Sequence, residues 1–212
     1  VIQGARSLAI EIFPPFEVFY IHALLFHAQS ALNSLASVSE AVEEAVKGID
    51  EDGLGKLDQD WVLNHLQSAV VHAAAISRYF WPVRKGHEYR GAAIRAALQI
   101  TDASPLKNRE LRNQIEHFDE KLDEYLANGV VGMVVPHYVG PAPEESEVPG
   151  HIFRAFFSDT GVFVLLGKKY EIQPIADELI RVYELLKEMD RQGGRLTAPI
   201  LSGHRKSKAR QW

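Results

Sequence analysis

The 212-residue chain contains no cysteine. That single absence excludes a disulfide-stapled scaffold, a thiolate zinc site, an iron–sulfur cluster and a cysteine nucleophile. No apolar run approaches the roughly 18 residues that a membrane span needs, and no basic stretch followed by an apolar core stands near the start. A cytoplasmic protein without membrane contact is expected. The sequence also lacks a phosphate-binding P-loop, a dinucleotide glycine fingerprint, a G-x-S-x-G elbow and an H-E-x-x-H pair, so serine-hydrolase and nucleotide-hydrolase readings have no support. Gly193-Gly194 is too isolated to count as a glycine loop. No Glu-x-x-His pair is present, which removes the usual di-iron bundle site. No metal and no cofactor is called for.

What is present is ordinary in amount and uneven in placement. Hydrophobic residues make up 46% and charged residues 24%, the balance of a single globular domain. Net charge is −5. Six Lys/Arg and no acid fall in residues 191–212; removing those six from 23 leaves 17 basic against 28 acidic side chains in residues 1–190, or −11. An acidic body argues against a broad, nonspecific grip on nucleic acid, which depends on phosphate neutralisation. The basic end (His204, Arg205, Lys206, Lys208, Arg210) is suited to RNA phosphates or an acidic partner, or is simply a solvated tail.

Apolar periodicity predicts long helices. After Pro14-Pro15, the series Val18, Ile21, Leu25, Ala28, Leu32, Leu35, Val42, Val46 and Ile49 steps mostly by threes and fours, and Gly48, Gly53 and Gly55 end it. A second helix is expected from Asp58 to Trp81, striped by Val62, Leu66, Ala69, Ala73, Ile76 and Phe80. Asp58 or Asp60 would cap it and Pro82 would stop it. Residues 87–100 read as a shorter helix weakened by Gly91. A strong helix over 105–127 has Ser104 as N-cap, Pro105 in its first turn and Asn128-Gly129 as its stop. Its apolar arc is Leu111, Ile115, Phe118, Leu122, Tyr125 and Leu126. A last helix over 174–191 turns Ile175, Leu179, Val182, Leu185, Leu186 and Met189 inward.

Between the last two helices the pattern changes. Residues 130–139 form a short apolar run, and a loop rich in proline and glutamate follows. Phe153–Ser158, a turn at Asp159-Thr160-Gly161 and Val162–Leu166 read as a β-hairpin. The expected fold is mainly α: an up-and-down bundle of four to five helices with a small β insertion over about 130–172. Residues 1–192 form one domain, and 193–212 a tail without a core of its own.

The most informative stretch is Leu111-Arg112-Asn113-Gln114-Ile115-Glu116-His117-Phe118-Asp119-Glu120. It sets an arginine, a polar asparagine, three further residues and a histidine on one helix. Taking Arg112 as origin, Glu116, Asn113 and His117 lie at about 40°, 100° and 140° round an ideal helix. Arg112 and His117 therefore stand at the two edges of the polar face with Asn113 between. On a straight helix they do not touch, but they line a groove if a second copy packs there. Histidine can accept or donate a proton near neutral pH, and arginine can hold an anionic group and offset charge that builds up in a transition state.

This arrangement resembles the motif of the HEPN superfamily (higher eukaryotes and prokaryotes nucleotide-binding), in which an arginine precedes a histidine by a few helical residues. The longer string Glu116-His117-Phe118-Asp119-Glu120 is similar to a bacterial branch of it. The sharp likeness covers about ten residues; beyond them the agreement is that of a helical bundle, and the β insertion lies outside the minimal family fold. The resemblance implies a metal-independent, RNA-directed endoribonuclease of a toxin–antitoxin or phage-defence type. It further implies a homodimer in which two motifs meet across a cleft, with an antitoxin or other protein as a further partner. It makes Arg112 and His117 catalytic and Asn113 supportive; Arg109, Arg205 and Lys206 are the basic residues placed to contact RNA.

The same residues also fit a plainer account. Arg112 and Glu116 form an i,i+4 pair of the ordinary surface kind. Glu116, Asp119, Glu120, Asp123 and Glu124 make this face acidic and repellent to phosphate. The competing expectation is therefore a non-catalytic helical dimerisation or interaction module. Two further groups stand out. His22, His27, His65 and His72 lie on the first two helices and are expected to flank the core rather than hold a metal. Arg78, Tyr79, Phe80, Trp81 and Arg84 form an aromatic–basic cluster that either closes the bundle end or stacks a base.

Overall fold

The computed structural model describes residues 12–48, 57–144 and 150–197. It is mainly helical, with a small sheet inserted before the last helix. The helix count differs from expectation. Among the described residues there are six α-helices: α1 Pro14–Lys47, α2 Gln59–Phe80, α3 Glu88–Ala97, α4 Glu110–Glu116, α5 Phe118–Ala127 and α6 Gln173–Arg191. The segment expected as one helix over 105–127 is a 3-10 turn at Pro105–Lys107 followed by α4 and α5.

Three long helices make the core. In α1 the prolines occupy the first helical positions, where their missing N–H groups cost nothing. Its buried stripe is Ile21, Leu24, Ala28, Ala31, Leu35 and Val38. Every residue of the stripe predicted for α2 is buried, and Asp58 caps that helix by accepting from the Trp61 N–H at 3.0 Å. Side-chain pairs along α1 and α2 run in opposite chain directions: Tyr20 with Tyr79, His27 with His72, Ser34 with Ser68. The two helices are therefore antiparallel. The pairs Glu17–Arg195, His22–Asp190 and Gln29–Tyr183 place α6 antiparallel to α1 in the same way. One continuous apolar cluster joins α1, α2, α3, α6 and one face of the sheet.

α3 crosses the end of α2 closely enough to require a glycine. A Cβ on Gly91 would sit 2.5 Å from both the Phe80 carbonyl oxygen and the Pro82 Cδ. The glycine that weakens the helical signal is the residue that admits the packing.

The insertion is a four-stranded mixed sheet rather than a hairpin: β1 Met133–Gly140, β2 Gly150–Phe157, β3 Val162–Leu165 and β4 Lys168–Glu171, in spatial order 1-2-3-4. β1 pairs with β2 in parallel, and the other two pairings are antiparallel. The predicted β2–β3 hairpin is present within it. β3 turns into β4 through Leu166 and Gly167, both at positive φ (47° and 78°), the two-residue turn that suits strand twist. Alternation along β2 and β3 sends Phe156, Phe163 and Leu165 to the main core. Ala155, Phe157 and Val164 go to a smaller cluster on the other face.

The start of the expected tail is part of the fold. Arg195 pairs with the buried Glu17 at 2.8 Å, and the Leu196 N–H donates to the same carboxylate at 2.7 Å. Gly194 packs on Val18 at φ +71°, where an added Cβ would come within 3.1 Å. Residues 193–197 thus dock on the first turn of α1. Arg205 and Lys206 lie outside the described residues.

Candidate functional site

α4 is short and tied at both ends. Asn108 Oδ1 accepts the Glu110 N–H at 2.8 Å, satisfying a donor of the first turn. Leu111 and Gln114 are buried beneath it. Ser104, expected as an N-cap, makes no cap hydrogen bond; its hydroxyl donates to Glu178 of α6 at 2.7 Å. Burial pushes the Glu178 carboxyl up, but hydrogen bonds from Arg181 and Ser104 outweigh it and hold the group below the usual carboxylate range. From β4, Lys168 Nζ donates to Glu110 at 3.1 Å and the Tyr170 hydroxyl at 3.4 Å. Burial, then the charge and hydrogen bond of Glu110, push the Tyr170 phenol up to about 12, so it remains a neutral donor.

His117 is where the helix bends. Its backbone sits at φ −113°, ψ 38°, outside the helical basin and in a sparsely populated region. The N–H still donates to the Asn113 carbonyl and the carbonyl still accepts from Lys121, each at 3.0 Å. The angular positions of a straight helix therefore stop applying at this residue. Beyond the break α5 packs only marginally: Phe118 lies partly buried against the core, no residue of the helix is fully buried, and Leu126 is exposed although the periodicity assigns it to the apolar arc.

The imidazole of His117 is 53% exposed, with Nδ1 3.6 Å from Glu120 Oε1. Arg112 is 19% exposed and already occupied. Its Nη1 donates to Asn113 Oδ1 at 2.9 Å, and its Nη2 pairs with the Glu116 carboxylate. Arg78 of α2 approaches the other Glu116 oxygen at 3.6 Å. The structure thus brings Arg112, Asn113, Glu116 and Arg78 together. Among the described residues it records no hydrogen bond between His117 and the side chain of Arg112 or Asn113. The acidity of this face is partly offset, with Glu116 between two arginines and Glu124 held by Lys121 at 2.8 Å.

Arg109, expected to contact RNA, is turned inward. Its Nε donates to Ser77 Oγ at 3.0 Å, and its Nη2 donates to the carbonyls of Ser77 and Trp81 at 3.1 and 2.6 Å. These carbonyls belong to the last turn and C-cap of α2, which needs such donors. Burial, then the charges of Arg78 and Arg112, lower its pKa from the ordinary arginine value.

A second arrangement at the site is not apparent from periodicity. Arg154 of β2 stacks its guanidinium 3.9 Å from the ring centroid of Phe118, the residue after the bend. Its Nη1 lies 3.3 Å from His137 Nε2 on β1, and His137 Nδ1 meets Asp60 of α2. The only advance sign is a histidine and an arginine at positions of β1 and β2 that prove to be register partners.

Three further histidines lie on α1 and α2. His65 stacks on Trp61, its Nδ1 2.8 Å from the Trp61 carbonyl. His27 and His72 approach each other Nδ1 to Nδ1 at 3.0 Å. Among the described residues, no group of three or more His, Asp and Glu gathers as metal ligands, and no helix is long and apolar enough to cross a membrane. No family model, curated protein or solved structure matches the chain.

Proposed function

We propose that this protein is an RNA-directed, HEPN-like endoribonuclease that acts without metal as a homodimer. Arg112, Asn113 and His117 would sit at the phosphodiester. The observation that carries the reading is the placement of His117. A half-exposed imidazole stands at a helix bend, directly after a segment that holds Arg112, Asn113 and Arg78 in one polar cluster. Attack of a ribose 2′-oxygen on its own phosphate forms the 2′–P bond and breaks the P–O5′ bond. One proton leaves the 2′-hydroxyl and one is delivered to the departing 5′-oxygen. One histidine serves one of these transfers, and its counterpart from a second copy serves the other. Arg112 and Arg78 supply positive charge to the phosphoryl oxygens. The products are a 2′,3′-cyclic phosphate and a 5′-hydroxyl. A toxin–antitoxin or phage-defence setting, with a protein that restrains the enzyme, suits such chemistry.

One observation favours a second reading, a non-catalytic helical dimerisation or interaction module. Arg112 is paired to its own Glu116 and largely covered, which is how a structural arginine is held. Incubation of the protein with single-stranded RNA in EDTA separates the two. The enzyme reading expects cleavage with 5′-hydroxyl products, lost in His117→Ala at unchanged circular dichroism. Intact RNA with the wild type rejects it in favour of the interaction module.

A further inference from the structure

The aromatic–basic cluster at the end of α2 divides in the fold, and half of it faces a second cleft, which shares Arg78 with the RNA reading but none of its other residues. Phe80 goes to the core, and Trp81 turns to Asp102 through its indole N–H at 3.2 Å. Arg78 and Tyr79 turn the other way. With His27 of α1, Ala75 of α2 and Arg90 of α3 they line a cavity of about 410 Å³, within the size range of small-ligand sites.

Its chemistry is one-sided. Two guanidinium groups line it, and among the described residues no carboxylate does. Arg90 is fixed in place: it lies 5.5 Å from the Tyr79 ring centroid and 5.9 Å from that of Tyr20, and its Nη2 donates to the Arg78 carbonyl at 3.1 Å. Its Nε is shielded from solvent and has no hydrogen-bond partner. Arg78 has a single long ion pair, to Glu116 at 3.6 Å. One aromatic ring, that of Tyr79, stands in the wall beside the charges.

The histidine pair adds polar complementarity. At 3.0 Å between two Nδ1 atoms, one ring must donate and the other accept. The accepting ring then carries its proton on Nε2, and the donating ring has a bare Nε2. Of the two rings only His27 lines the cleft, so in its neutral form it offers one Nε2 group, donor or acceptor according to its tautomer, beside the arginines.

We propose that the cleft between α1, α2 and α3 binds a phosphate-bearing ligand carrying a flat ring. The phosphate lies between Arg78 and Arg90, and the ring lies against Tyr79. Arginine forks suit phosphate oxygens, and a ring on an aromatic face is the usual companion contact. The phosphate can come from a free nucleotide or from an RNA backbone, and both present the same group to the same arginines. Arg78 is shared with the proposed RNA site, whereas Arg90 and Tyr79 belong to this cleft alone, so the inference is tested on them without reference to RNA cleavage.

Titration calorimetry on the full chain tests it with three probes: inorganic phosphate, adenosine 5′-monophosphate and a short single-stranded RNA. At least one of the nucleotide and the RNA is expected to bind, with inorganic phosphate competing. Arg78→Gln and Arg90→Gln should each weaken binding at least tenfold. Tyr79→Leu should weaken the nucleotide but spare inorganic phosphate. Arg84→Gln, an exposed arginine outside the cleft, is expected to bind as the wild type does. Binding of the nucleotide assigns the site to a small ligand; binding of RNA alone assigns it to a strand where Arg90→Gln and Tyr79→Leu weaken it, and RNA binding indifferent to both overturns the proposal, since Arg78 also belongs to the proposed RNA site. Should Arg90→Gln lose its fold, Tyr79→Leu carries the test. Absence of binding by both nucleotide and RNA at millimolar concentration overturns the proposal. So does wild-type affinity in Arg78→Gln.

Discussion

Replacing Arg109 by alanine separates two roles for one residue. As an RNA contact, Arg109 would matter to binding and little to stability. The structure instead engages it in three hydrogen bonds at the end of α2. A hydrogen bond to a charged group is worth about 1.5–3 kcal/mol when one partner is removed, and a cation at a helix C-terminus about 0.3–1 kcal/mol more. The three bonds share one guanidinium, and water can reach the half-buried site after truncation, so they do not add. A net loss of about 3 kcal/mol is the working figure. For a chain of this length that corresponds to roughly 6–12 °C in Tm. Arg109→Lys should recover only part of it, since an ammonium cannot reach Ser77 and Trp81 together in the geometry of a fork. Scanning calorimetry gives the shift, and salt-dependent RNA titration on the same variants gives the binding. A Tm within 2 °C of wild type, together with a shallower salt dependence of RNA affinity, would refute the structural assignment and restore Arg109 to the RNA surface.

Three other perturbations have defined outcomes. Gly91→Ala gains helix propensity but drives a Cβ to 2.5 Å from the Phe80 carbonyl and Pro82; overpacking should prevail at about 1–3 kcal/mol, read as a lower urea midpoint. Burial lowers the pKa of both His27 and His72 from 6.5, with the charge of His72 adding to the effect on His27. Below 6.5 the unfolded chain then binds more protons than the folded one, so this stability is present above 6.5 and lost as pH falls toward the folded values. Urea midpoints measured from pH 7.5 to 5.5 should decline, and the decline should be smaller in His72→Asn. Glu116→Gln removes the carboxylate that engages Arg112 and Arg78; RNA affinity should rise severalfold, whereas a fall would show that Glu116 holds the arginines in working position.

Three-four spacing made α2 legible and α1 only in part: of the stripe expected on α1, Ile21, Ala28 and Leu35 are buried, Val18, Leu25, Leu32 and Val42 are half-buried, Val46 is exposed, and Ile49 lies outside the described residues. The α2 stripe is buried at every named position, and Asp58 caps as its residue type suggests. Three features were not legible, each for a physical reason. The break at His117 carries no proline or glycine; contacts from outside the helix accompany it, including Arg154 on the ring of the following residue. β4 reads Lys168-Lys169-Tyr170-Glu171, a polar edge strand without alternation, so its pairing follows from the Leu166-Gly167 turn and not from its own pattern. Residues 193–197 carry no hydrophobic period, yet a buried carboxylate on Glu17 recruits both the Arg195 side chain and a backbone N–H.

At the candidate site the same divide appears between what lies along one helix and what arrives from elsewhere. The Arg112–Glu116 pair follows from i,i+4 spacing alone, and the structure contains it. Everything that changes its meaning is nonlocal. Arg78 reaches Glu116 from α2, Lys168 and Tyr170 fix Glu110 from β4, and Arg154 covers Phe118 from β2. The insertion is therefore a second support for α4 and the start of α5, holding one at its first residue and the other just past the bend. His117 lies between these two supports, at the one non-helical residue that separates α4 from α5. The sheet thus holds the residues on either side of the α4–α5 junction, through Lys168 and Tyr170 on Glu110 and Arg154 on Phe118, from strands more than thirty residues further along the chain.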